Sequence, residues 1–258
     1  MSEFEGKIIE DYYDYSQYGF EGEYRTKGND PDFRGGQYLG KEIGVRVQFA
    51  IHTHTNGRII INVPGAGGNI DGYKDKFKKQ AKHMQSSNLG AVIRTNGDLK
   101  GGFLPDINLR AALAYAKEHS QEICGSSDPE ILLMGFSAGA SAIAAVAHEY
   151  PEVSKILLYA PSGEMPEEIT QDGLAKFQGD VIIVIGENDD VVGVEAGQIF
   201  YDWASSASTK ELFIIPECDH QFRGEVNGRI MSEAPFYAFS QGEKILFPDP
   251  NGGIKLYE

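Results

Sequence analysis

Residues 131–136 read Ile-Leu-Leu-Met-Gly-Phe, and Ser137, Ala138, Gly139 and Ala140 follow at once. Behind them comes Ser-Ala-Ile-Ala-Ala-Val-Ala over residues 141–147. An apolar run of strand length thus meets a serine between small residues and passes into an alanine-rich stretch. The pattern predicts strand, sharp turn and helix, with Ser137 at the tip of the turn. Gly135 and Gly139 have a physical reason to be glycine. The serine of such a turn sits in a strained backbone conformation, and larger neighbours would collide with the adjoining helix or strand. The helix behind Ser137 aims its positive end at the hydroxyl, where it favours any negative charge that develops there.

The 258-residue chain suits a single large α/β domain over residues 1–258, able to bury a full core without disulfides or metals. Its formal net charge is −15, so nucleic acid and anionic membrane surfaces are not expected partners. Residues 1–32 hold nine acidic and three basic side chains. Within the acidic, Tyr-rich arm of residues 1–20, Tyr12, Tyr13, Tyr15 and Tyr18 are interleaved with Asp11 and Asp14. The arm reads either as an irregular segment packed over a sheet edge or as a docking or homodimer surface. Cys124 and Cys218 form neither a disulfide framework nor a metal motif, which points to reduced thiols. The amino terminus lacks the basic start and apolar core of a signal peptide, and no apolar run approaches a membrane span. A cytoplasmic protein is the resulting expectation.

Along the chain, residues 22–27 and 44–53 are predicted as the first two strands, the second from alternation of Val45, Val47, Phe49 and Ile51 with Arg46, Gln48, Ala50 and His52. His52 and His54 are expected at a solvated strand end. Residues 58–63 are β-branched and suit a buried central strand. The glycine-rich stretch Pro64-Gly65-Ala66-Gly67-Gly68 follows, leaving its amide N–H groups unscreened. Helix is expected at 71–85, strand at 90–95, and helix at 107–118 with Asp106 as its N-cap. After the Ser137 turn, strands are expected at 155–160, 181–185 and 211–215. Helices are expected at 193–205 and within 232–239, with Pro235 in the first turn of the last. The interval between residues 163 and 181 has room for one short helix. This alternation implies right-handed crossovers and a mainly parallel sheet of about eight strands.

A serine needs a base within hydrogen-bond reach, and the base needs an orienting acid. In parallel sheets such groups gather at the carboxyl ends of the strands. Behind residues 181–185 come Gly186, Glu187, Asn188, Asp189 and Asp190. Behind residues 212–215 come Pro216, Glu217, Cys218, Asp219 and His220. A carboxylate cluster and a histidine therefore each follow a buried strand, in the chain order serine, acid, histidine.

On these residues the chain resembles the α/β-hydrolase superfamily, close in pattern to its compact esterase and dienelactone-hydrolase-like branches, from about residue 20 onward. The resemblance implies Ser137 in Gly-Phe-Ser-Ala-Gly as nucleophile, His220 as base and Asp189 as acid. Asp190 is the alternative acid, standing where relatives often carry proline. The family's oxyanion loop falls on residues 64–68, with Pro64 where many relatives have histidine. The implied chemistry is acyl transfer to water. The N–H groups of Ala138 and of Ala66 or Gly67 would bind the oxyanion, and neither metal nor organic cofactor is required. The short stretch after Ala160, the usual position of a lid, implies an open site. Small or short-acyl esters are then the expected substrates. Lactones, thioesters, peptides and acyl transfer share the same machinery, and a non-catalytic binding module is the alternative of a different class.

Overall fold

The structure is a computed structural model that describes residues 8–14, 44–96, 105–241, 247 and 255–256. The apolar runs read from the sequence become the centre of one sheet. Strands β3 (Arg58–Val63), β4 (Ala91–Thr95), β5 (Glu130–Phe136), β6 (Val153–Tyr159), β7 (Asp180–Gly186) and β8 (Thr209–Ile215) lie parallel in the order β4-β3-β5-β6-β7-β8. Ile59–Ile61, Ile131–Leu133 and Val181–Ile185 are almost fully excluded from solvent, as expected of strands covered on both faces. Antiparallel strands β1 (Ile8–Asp14) and β2 (Gly44–His52) extend one edge beyond β4, and β9 (Lys255–Leu256) extends the other. The sheet has nine strands in these described residues.

Helices α1 (Lys76–Ser86) and α7 (Glu225–Ala238) pack together on one face, where the His83 and Phe236 rings meet at 4.6 Å. On the other face α2 (Pro105–Glu118), α4 (Ala138–Val146), α5 (Glu167–Lys176) and α6 (Glu195–Trp203) lie in succession, and the short α3 (Ser120–Cys124) follows α2. Helix α5 is the single helix between β6 and β7, and it lies against α4. A Cβ on its Gly173 would come within 2.4 Å of Ala145 O. It packs on α4 and α6.

Four local expectations are corrected. The amino-terminal arm is not irregular over residues 8–14: it pairs antiparallel with β2, Ile8 opposite Ala50. The strand expected at 22–27 lies outside the described residues. Helix α1 begins at Lys76 rather than at residue 71, because Gly72, Lys74 and Asp75 all have positive φ. Asp106 is inside the first turn of α2 rather than before it, and it is buried. Helix α7 begins seven residues earlier than expected, so that Pro235 falls near its end instead of in its first turn. A proline there removes the N–H that would bond to Met231 O. Gln80 Nε2 and Tyr159 OH replace it, each donating to Met231 O at 2.8 Å.

His52 is also not solvated. It is buried at the end of β2, and its Nε2 accepts a hydrogen bond of 3.1 Å from Arg94 Nε. The same guanidinium donates from Nη1 to Ile70 O and Asp71 Oδ1 at 2.6 Å each. Arg94 thereby ties the loop that follows β3 to the antiparallel edge of the sheet.

Candidate active site

Ser137 stands between β5 and α4 with φ 53° and ψ −117°. This left-handed value is costly for a residue with a side chain, on the order of 1–3 kcal/mol, and persists only where neighbours enforce it. Two neighbours do so here. Ser137 N donates to Tyr159 O at 2.8 Å, fixing the turn to β6. The helix then passes so close to β3 that a Cβ on Gly139 would lie 2.3 Å from Val63 O, and one on Gly135 would lie 2.7 Å from Gly139 O. Both glycines are therefore demanded by contact distance, as the sequence implied.

The loop after β3 reaches the same place. A Cβ on Gly65 would lie 3.1 Å from both Phe136 O and Ser137 Cβ, so this backbone abuts the turn. Gly68 N closes the loop by donating to Gly65 O at 2.9 Å, while Ala66 and Gly67 are exposed at its tip. Ala138 is the first residue of α4, and its N–H belongs to the turn of helix amides that have no intrahelical acceptor.

His220 and Asp189 converge from the loops behind β8 and β7. His220 Nδ1 and Asp189 Oδ2 are 2.8 Å apart, and both residues are buried. Asp189 Oδ1 accepts hydrogen bonds from Val191 N and Val192 N at 3.0 Å each, so the carboxylate is fixed at both oxygens. Asp190 is exposed. Cross-loop bonds from Glu187 N to Ile215 O and from Asn188 N to Cys218 O, both 2.9 Å, hold the acid's loop to the histidine's loop. Glu217 and Phe222, with φ 54° and 53°, bend the chain on either side of His220. Asp219 Oδ1 accepts from Arg223 N at 3.0 Å, a contact internal to that loop.

With Nδ1 engaged by the acid, Nε2 is the nitrogen left for the serine. Among the described residues no hydrogen bond joins Ser137 Oγ to His220; such bonds are often loose before a substrate is bound. The link between them is Phe136, whose ring centroid lies 5.1 Å from that of His220. Ser137 is 7 % exposed and His220 4 %. The nearby Cys218 thiol is fully buried, and burial, with the Asp219 and Asp189 charges, pushes it up to about 12, which leaves no thiolate at neutral pH.

Three parts of this arrangement were not read from the sequence. The Val191 and Val192 amides carried a faint signal, since an aspartate opening a turn often accepts from the residues two and three ahead. The cross-loop bonds and the Phe136 contact carried none, because they depend on the third dimension.

No protein-family model matches the sequence, and no curated protein sequence matches it. Solved structures do resemble it. Est1E from Butyrivibrio proteoclasticus superposes with a TM-score of 0.58 at 16 % identity, over 78 % of this chain and 96 % of that one. An alpha-beta serine hydrolase homologue from Coxiella burnetii gives a TM-score of 0.54 at 20 % identity, over 74 % and 90 %. Dienelactone hydrolase from Anabaena variabilis gives 0.55 at 16 % identity, over 78 % and 95 %. No helix among the described residues is long and apolar enough to cross a membrane. In strand order, in helix placement and in these likenesses, the chain has the α/β-hydrolase fold of esterases and dienelactone hydrolase.

Proposed function

We propose that the protein is a serine hydrolase acting by acyl transfer to water, a carboxylesterase on small or short-acyl esters. Ser137 is the nucleophile, His220 the base and Asp189 the orienting acid in this reading. The observation that carries it is the pairing of His220 Nδ1 with an Asp189 carboxylate locked by two backbone amides, beside a serine held at positive φ. The two amides alone are an ordinary turn contact; the second oxygen on a buried imidazole is what a structural aspartate does not need. That contact serves an imidazole that must keep one tautomer and one orientation while its other nitrogen takes and returns a proton.

In the reaction, Ser137 Oγ attacks the ester carbonyl as His220 Nε2 takes its proton. The oxyanion of the tetrahedral intermediate accepts from the N–H of Ala138 and from that of Ala66 or Gly67. Each such donor is worth about 3 kcal/mol in the transition state. Collapse expels the alcohol, which receives the proton from His220. Water, activated by the same imidazole, then releases the acid and restores Ser137. With one ten-residue helix, α5, between β6 and β7, the chain has little to build a lid from, which supports small substrates, since long acyl chains need a large apolar cover.

Covalent capture tests the reading. A fluorophosphonate should label the protein, and Ser137→Ala should abolish labelling; a folded protein that the reagent never labels supports a binding module instead.

A further inference from the structure

The Phe136 ring that neighbours His220 has a second neighbour. Lys76 Nζ, at the start of α1, stands 5.1 Å from the Phe136 centroid and 5.1 Å from that of Phe77. Among the described residues its side-chain polar contact is with Met231 Sδ at 4.0 Å. All three of these neighbours are buried, while Lys76 itself is half-buried. An ammonium on two rings and a thioether has attraction but, among the described residues, no counter-charge. Two other cations near this end of the sheet are paired, Arg94 with Asp71 and Arg223 with Asp219. No carboxylate among the described residues forms an ion pair with Lys76. Burial also holds the amine below the ordinary lysine value, the direction expected where desolvation is not offset by an acid.

A partly desolvated cation one ring away from the proposed base is poorly explained by packing, because methionine or leucine would fill the same space without the charge. We infer that Lys76 is a specificity residue that recognises a carboxylate on the substrate, held a few methylenes from the scissile carbonyl. The apolar bed of Phe77, Phe136 and Met231 suits the methylene spacer. The chain's charge of −15 opposes multiply charged anions, so a single carboxylate is the fitting ligand. The inference rests on the esterase reading above and adds to it the class of ester.

The test compares matched chromogenic esters. The p-nitrophenyl monoester of adipic acid is set against p-nitrophenyl hexanoate, and 4-acetoxybenzoate against its methyl ester, so that the carboxylate is sampled on both the acyl and the alcohol side. Wild type should prefer the charged member of at least one pair by about tenfold or more in kcat/KM, the order expected of one charge-assisted contact. Lys76→Met should remove that preference while keeping activity on the neutral ester, and Lys76→Arg should retain it. Equal kcat/KM within both pairs, or a preference that survives Lys76→Met, overturns the inference and leaves the esterase reading in place. Turnover of none of the four esters removes the esterase reading, and the inference with it.

Discussion

Replacing Asp189 by asparagine swaps one oxygen for an NH₂ group, and the surroundings decide which oxygen is lost. Oδ1 faces two backbone donors, Val191 N and Val192 N. An NH₂ group turned toward them would leave buried donors facing a donor, at about 1–3 kcal/mol each. The asparagine oxygen therefore keeps that position, and its NH₂ group faces His220 Nδ1. An imidazole that accepts at Nδ1 must carry its proton on Nε2, where it cannot take one from Ser137. The wrong tautomer is thus enforced rather than merely allowed. The expected fall in kcat is about 10⁴-fold, or about 5.5 kcal/mol, with the fold retained. Asp190→Asn changes an exposed side chain and should leave kcat within about twofold. Steady-state kinetics on a short-acyl aryl ester, with circular dichroism to confirm folding, measures both. An Asp189→Asn variant with more than a tenth of the wild-type kcat, or an Asp190→Asn variant that loses more, would refute the reasoning.

Two further outcomes concern the framework. Gly139→Ala places a methyl group 2.3 Å from Val63 O and 2.6 Å from Pro64 O, both backbone atoms, and should destabilise the protein by about 3 kcal/mol in urea unfolding; a loss below about 1 kcal/mol would show that α4 can shift away from β3. Hydrogen bonds from Arg110 hold the Glu149 carboxyl below its ordinary value. A depressed folded value stabilises above the unfolded value near ~4.3, and that contribution is lost as pH falls through the folded value. Glu149→Gln should therefore shrink the drop in melting temperature between neutral and acidic pH, and an unchanged drop would dismiss the pair as a contributor.

The sequence disclosed what is local and left out what is not. The turn at Ser137 was legible because its strand, glycines and helix are contiguous. The meeting of Asp189 with His220 was legible because each follows an apolar run at the carboxyl end of a parallel strand. Of the two adjacent aspartates, the resemblance pointed to Asp189, which lies against His220 while Asp190 faces solvent. Three of the failures share one physical cause, a partner distant in sequence. Strand β1 exists through pairing with β2, over a stretch of chain whose alternation includes acidic residues. His52 is buried because Arg94 supplies its hydrogen bond from another strand. Helix α7 continues to Pro235 because Gln80 and Tyr159 satisfy the carbonyl that the proline abandons. Local propensity rightly disfavoured a proline so deep in a helix, and tertiary contacts overrode it.

The central claim is that Ser137 is the nucleophile served by His220. The most direct measurement is the intact mass of the protein after reaction with a fluorophosphonate, followed by peptide mapping of the modified residue. The account predicts a single adduct on the peptide containing Ser137, formed quickly in wild type, far more slowly in His220→Ala and not at all in Ser137→Ala. An adduct on another residue, or labelling of Ser137 at the same rate with and without His220, would contradict it.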